Sequence, residues 1–281
     1  MIAPKRASRT VRVSRHRDGS SSRAKDALAV EEPLEIRISW DEGSGRRVEP
    51  LAVTMRTPGD DFELVAGFLH GEGVLTSPDA VKELTYCRGA EEQLYNIVEA
   101  RLQTGVPYDP ERVRRNVYTT SSCGVCGKAS LEAVEATGCE LITGDDVVVD
   151  AELVPRLPDL LRSEQAVFER TGGLHAAGLF SPDGTLHVVR EDVGRHNAVD
   201  KVLGRAFLDR KLPGTDRVLV VSGRASFELV QKSVLAGVPM LVAVGAPSSL
   251  AVDLARRFHQ TLIGFARGGG FNVYTHPERV R

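Results

Sequence analysis

Cysteine is scarce in this chain: four among 281 residues, Cys87, Cys123, Cys126 and Cys139. That is too few for a disulfide framework at this length. It points to a reducing cytoplasm, where thiols stay free unless a metal or a substrate engages them. Only one Cys-x-x-Cys spacing occurs, whereas a structural zinc site needs four ligands and typically two such pairs. Long hydrophobic runs are missing too, and nothing approaches the ~18 consecutive apolar residues of a membrane span. Neither sign of charge dominates: 36 Lys and Arg face 38 Asp and Glu, a net of −2. No general affinity for nucleic acid or acidic membranes follows from such a balance. What remains is an ordinary soluble composition, 42% hydrophobic and 26% charged, long enough for one large or two ordinary domains.

The N-terminus is the local exception. Residues 1–28 carry eight basic side chains against Asp18 and Asp26, a net of +6. No apolar core of ~7–15 residues follows them, so the segment is not a secretory signal. No aromatic residues interleave with the charges, which disfavours a nucleic-acid arm. Residues 1–30 are therefore expected to form a disordered, solvated basic tail, broken by Asp18-Gly19-Ser20-Ser21-Ser22.

Ordered structure is expected from Pro33. Leu34-Glu35-Ile36-Arg37-Ile38 has the period of a half-buried strand, Asp41 to Gly45 is turn chemistry, and Leu51 to Met55 resumes a strand. Asp60 or Asp61 can cap a helix through Phe62 to His70, and another strand is expected within Leu94 to Leu102. Residues 31–120 thus read as a small α+β domain, and residues 121–150 as a cysteine loop with a linking helix at Lys128 to Ala136. Beyond residue 151, a helix from Leu153 to Val167 is interrupted early by Pro155 and Pro158. Strands at Thr185–Arg190, Arg217–Val221, Met240–Val244 and Thr261–Ala266 then alternate with helices at Asn197–Leu208, Ser226–Ala236 and Ser249–Gln260. Continuous apolar strands between helices imply an α/β domain over residues 151–281, with a mostly parallel sheet covered on both faces. Ligands in such folds gather beyond the carboxyl ends of the strands.

The pair within Ser121-Ser122-Cys123-Gly124-Val125-Cys126-Gly127-Lys128 carries the most chemistry. Thiolate is a strong nucleophile at neutral pH, and the flanking glycines leave it open. Cys126 stands near the start of the expected helix, whose partial positive charge, with Lys128, would lower a thiol pKa. Three roles are open: sulfur carriage as a persulfide, thiol–disulfide exchange, or zinc held with distant ligands. Cys87 and Cys139 have no partner pattern and are expected to be buried.

Other segments suit a ligand. Gly223-Arg224-Ala225-Ser226 follows a strand and opens a helix, where free N–H groups and Arg224 can hold an anion. Ser248 or Ser249 is a helix cap. Phe265-Ala266-Arg267-Gly268-Gly269-Gly270 puts three glycines and an arginine after a strand, which lets backbone approach a phosphate. Glu191-Asp192-Val193-Gly194-Arg195-His196-Asn197 offers acid–base groups or a hydrogen-bonded loop capped by Asn197, and His175 a ligand or base.

In order along the chain, Cys123 to Gly127, Gly172-Gly173-Leu174-His175-Ala176-Ala177, Glu191 to Lys201, Ser222-Gly223-Arg224 and Phe265 to Tyr274 resemble the FdhD family of formate dehydrogenase accessory sulfurtransferases. The resemblance runs from about Pro33 to the C-terminus. It implies a cytoplasmic sulfurtransferase, a homodimer, with a C-terminal domain similar to the three-layer cytidine deaminase fold. Sulfur from a cysteine desulfurase would be carried as a persulfide on Cys123, with Cys126 assisting. The acceptor would be the bis-molybdopterin guanine dinucleotide molybdenum cofactor destined for formate dehydrogenase, bound near Phe265, Ala266, Arg267, Gly268, Gly269 and Gly270, with Arg224. Deaminase chemistry needs His-x-Glu and a downstream Pro-Cys-x-x-Cys. His175-Ala176-Ala177 lacks the glutamate and no cysteine follows Cys139, so zinc-dependent deamination is disfavoured and no metal held by the protein itself is expected.

Overall fold

The structure, a computed structural model, describes residues 6–43, 45–87, 95–111, 141–143 and 147–281. Cys123, Cys126, Cys139 and the helix expected at 128–136 lie outside the described residues.

From Ser8 to Ala29 the basic N-terminal segment is a two-stranded ribbon, not a disordered tail. Strand β1 (Ser8–Arg17) pairs in register with β2 (Ser20–Ala29) through a turn at Asp18-Gly19, both with positive φ. Asp-Gly is a favoured two-residue hairpin turn, and Val11 and Val13 opposite Asp26 and Ala24 give the strands their side-chain pairs. The Asp-Gly-Ser run is the hairpin turn itself and not a breaker.

A four-stranded sheet follows, ordered β4-β3-β6-β5, from β3 (Glu32–Glu42), β4 (Gly45–Arg56), β5 (Val81–Tyr86) and β6 (Ile97–Leu102). Leu34, Ile36, Ile38 and Trp40 alternate inward from β3 to meet Leu64, Val65 and Leu69 of helix α1 (Asp61–Gly71). Asp60 occupies the N-cap position of α1 but makes no side-chain cap bond. Its carboxylate instead lies 3.5 Å from Arg190.

The second sheet is six-stranded, ordered β12-β11-β10-β9-β7-β8. Its strands are β7 (His175–Phe180), β8 (Leu186–Asp192), β9 (Val218–Val221), β10 (Met240–Ala243), β11 (Thr261–Arg267) and β12 (Gly270–Thr275). Only the β9–β10 and β10–β11 pairs are parallel; β7 runs antiparallel to both neighbours and β12 to β11. The sheet is mixed, which corrects the mostly parallel expectation. Two hairpins account for the difference. Pro182-Asp183-Gly184 turns β7 into β8, and Gly268-Gly269 turns β11 into β12. Val218 and Val220 face one layer while Leu219 and Val221 face the other, so the strand is apolar throughout.

Six helices are described in all. The short α2 (Leu157–Ser163), led by a 3₁₀ turn at Val154–Arg156, covers one face of the large sheet, and α3 (Ala166–Thr171) follows. The single helix expected at 153–167 is thus broken into pieces. The opposite face is covered by α4 (Arg195–Leu208), α5 (Phe227–Leu235) and α6 (Ser249–Arg257). Helix α4 is buried from both sides, because α1 lies across it. A Cβ at Gly204 would overlap the Glu63 carbonyl, and one at Gly67 the Asp200 carbonyl, so the two backbones approach as only glycine allows. Lys232 of α5 joins this seam, its Nζ 2.8 Å from Asp200 and 3.9 Å from Glu72. Burial pushes the Asp200 carboxyl up, and the Lys232 ammonium pulls against it.

Candidate functional site

The parallel core of the large sheet sets the site. The carboxyl ends of β9, β10 and β11 form one rim, where ligands of open α/β sheets bind. The antiparallel β7 begins at that rim with His175, and β8 ends there at Asp192, directly before α4. Backbone bonds ladder the rim turns together. Ser222 N–H donates to Ala176 O (3.0 Å), Gly245 N–H to Gly223 O (2.9 Å), and Phe265 N–H to Gly245 O (3.1 Å). Gly245 and Gly264 make this approach possible. A Cβ at 245 would lie 2.9 Å from Arg224 Cγ, and one at 264 2.8 Å from Pro247 Cδ.

The rim gathers the residues expected to hold a cofactor. Arg224 is exposed at the start of the turn into α5. Phe265 is also exposed, at 38%, and holds a left-handed backbone (φ 55°) at a bulge where β11 meets β12. An exposed aromatic in this conformation stores strain of about 1–3 kcal/mol, the kind of cost found at ligand clamps. The Arg267 guanidinium stands 6.0 Å from its ring centroid. Ala266 points into the core. Gly268 and Gly269 (φ 59° and 81°) are the two central residues of the hairpin turn, with Arg267 and Gly270 paired across it. Turn geometry therefore accounts for these two glycines without a ligand.

The polar block after β8 is mainly a structural hub. Both oxygens of Glu191 accept from the first turn of α3, Val167 N–H at 2.9 Å and Phe168 N–H at 2.7 Å. Asp192 is sealed from solvent and accepts from Thr57 N–H (3.1 Å), Gly194 N–H (2.9 Å) and Asn197 Nδ2 (3.0 Å), with Lys201 Nζ at 2.7 Å. Asn197 also donates to Met55 O, tying α4 to β4. Gly194, not Asn197, occupies the N-cap position of α4.

His196 Nε2 lies 3.2 Å from Ser226 Oγ and 3.8 Å from Glu228 Oε2. A nucleophilic triad needs serine and carboxylate on opposite ring nitrogens, and here both use the same one. The His196 hydrogen bond pulls the Glu228 carboxyl down to about 2. Across the turn stands His175, half-buried. Burial first, then the charges of Arg195 and His196, hold it below the usual histidine range, so its ring is neutral at neutral pH. Arg195 sat inside a sequence block without a role of its own, and only the fold reveals its place beside Gly223. Cys87, expected to be buried, is half-buried with its thiol 3.9 Å from Glu99.

The profile of the FdhD/NarQ family matches residues 29–281. A protein of Streptomyces avermitilis named sulfur carrier protein FdhD is 54% identical over 273 residues, covering 96% of this chain and 94% of that one. The protein of the same name from Mycobacterium tuberculosis is 51% identical over 261 residues, covering 91% and 92%. A crystal structure from Desulfotalea psychrophila, 24% identical, superimposes with a TM-score of 0.74 over 98% of this chain and 100% of that one, and so shares the fold. By the profile match across most of its length and by these identities, the chain belongs to the FdhD/NarQ family.

Proposed function

We propose that this protein is a cytoplasmic sulfurtransferase that serves formate dehydrogenase. The observation that carries the reading is near full-length similarity to proteins named sulfur carriers, in a chain whose one Cys-x-x-Cys is Cys123 and Cys126. Cys123 thiolate attacks the outer sulfur of a cysteine desulfurase persulfide. A new S–S bond forms on Cys123, the old S–S bond breaks, and the desulfurase cysteine leaves as its thiolate. Cys126 assists the later release. The acceptor is the guanine-dinucleotide molybdenum cofactor, bound as substrate across the rim.

Several rim features support that half of the reading: the exposed aromatic Phe265, the cations Arg224 and Arg267, and turns laddered along the carboxyl ends of the central strands. The three layers around a parallel β9–β10–β11 core support the likeness to the cytidine deaminase fold. The protein acts as a homodimer, without nucleic acid or membrane. Intact mass spectrometry after incubation with a cysteine desulfurase and cysteine tests the chemistry. A gain of ~32 Da that reductant removes and Cys123→Ala abolishes is expected. An unchanged mass in the wild type overturns it.

A further inference from the structure

The rim glycines have different reasons to be glycine. Gly245 and Gly264 are required by close packing, and Gly268 and Gly269 by positive φ. Gly223 has neither reason. Its φ is ordinary, and the three nearest atoms to an added Cβ would be His175 Nδ1 at 3.6 Å, His175 Cε1 at 3.8 Å and Arg195 Cδ at 3.8 Å. These are normal van der Waals contacts, so a methyl group fits, and what it would fill is the gap between a histidine and an arginine.

That gap has the polarity of an anion seat. Among the described residues the buried Arg195 Nε has no hydrogen-bond partner, and a buried donor left unpaired costs about 1–3 kcal/mol. The nearby carboxylates are engaged elsewhere: Asp192 by Lys201, Asn197 and two backbone N–H groups, and Glu228 by His196. The start of α5 adds to the positive potential. Its N-cap Ser226 makes no side-chain cap bond, because the hydroxyl meets His196 instead, whereas Ser248 caps α6 through Ala251 N–H. Arg224 follows Gly223 directly.

We propose that Arg195 and His175, facing each other across Gly223, form the seat for a phosphate or diphosphate group on this rim. Arg195 supplies the charge and an N–H that has no acceptor among the described residues, and the neutral His175 ring supplies one further N–H. The inference rests on the nucleotide-cofactor half of the proposed function and assigns its phosphates to a different arginine from Arg224 or Arg267. A base stacked on Phe265 and a diphosphate at Gly223 would then lie along one row of turns.

Calorimetric titration of the full chain with GDP, inorganic pyrophosphate and guanosine tests this. Arg195→Ala is expected to weaken GDP and pyrophosphate about tenfold or more while leaving guanosine unchanged. Arg195→Lys keeps the charge but loses the planar fork, and falls between. Gly223→Ala fills the gap and weakens both phosphate ligands at an unchanged melting temperature, so it decides the matter should Arg195→Ala fail to fold. Pyrophosphate binding as tight as GDP indicates a seat for free phosphates; binding that needs the nucleoside indicates the cofactor. Unchanged GDP and pyrophosphate affinity in folded Arg195→Ala or Gly223→Ala overturns the proposal. A wild type that binds neither overturns it together with the cofactor reading, while the persulfide test at Cys123 stands separately.

Discussion

Lys201 Nζ lies 2.7 Å from Asp192 Oδ2, with the two side chains 1% and 0% exposed. Lys201 also donates to the Thr57 carbonyl at 2.9 Å, so the pair clamps the start of α4 to the end of β4. Removing one partner leaves an uncompensated buried charge. Lys201→Met is expected to cost about 3–5 kcal/mol in urea denaturation. Adding Asp192→Asn to it should recover most of that loss. A double variant as unstable as the single one would mean that packing, not charge, holds the clamp.

The crossing of α1 and α4 predicts a sharp contrast between glycines. Gly204→Ala drives a methyl group into the Glu63 backbone and is expected to destabilise the fold by about 1–3 kcal/mol or more. Gly223→Ala, with only ordinary contacts, should leave the melting temperature unchanged. Thermal denaturation of the two variants side by side checks this.

The Glu228 carboxyl, drawn from 4.5 to about 2 chiefly by its hydrogen bond with His196, makes stability depend on acid pH. A depressed carboxyl pKa contributes stability that is full above about 4.5 and is lost as pH falls toward 2. Glu228 is partly exposed, so screening keeps the effect small. Glu228→Gln should lose less stability than the wild type between pH 4.5 and 2. Parallel acid limbs would remove the pair from the stability account.

The basic ribbon meets the body mainly where β2 packs on α3, and the family profile begins at residue 29. A chain starting at Val30 is therefore expected to keep its fold and its GDP affinity. A large drop in melting temperature on truncation would show the ribbon to be part of the core.

Cys123→Ala is expected to abolish formate dehydrogenase maturation in cells while leaving the melting temperature unchanged. Full maturation in that background would remove Cys123 from the chemistry.

The parts of the fold that were legible in sequence are those whose pattern has one physical cause. Val218 to Val221 and Met240 to Ala243 are apolar throughout because helices cover one face and the 147–161 layer the other. Ser248 was readable as a cap because the capping bond is local. By contrast, β7 reads His-Ala-Ala-Gly-Leu-Phe, without alternation or branching, and takes its strand identity from β8 and β9 on either side. The glycine run at 268–270 resembles a ligand loop in sequence because a hairpin turn and a phosphate cradle demand the same residue. Arg195 was hidden for a different reason. Its partner space is made by Gly223 and His175, which are distant in sequence and meet only through the order of the strands.

Helix α4 starts at Arg195 and crosses α1 at Gly204, nine residues or about 14 Å further along. It is a strut with one end in the rim and its middle wedged between two layers. The position of Arg195 is consequently set by the fit of two glycines far from any ligand. Repacking α1 would shift the anion seat without altering a single residue that touches it.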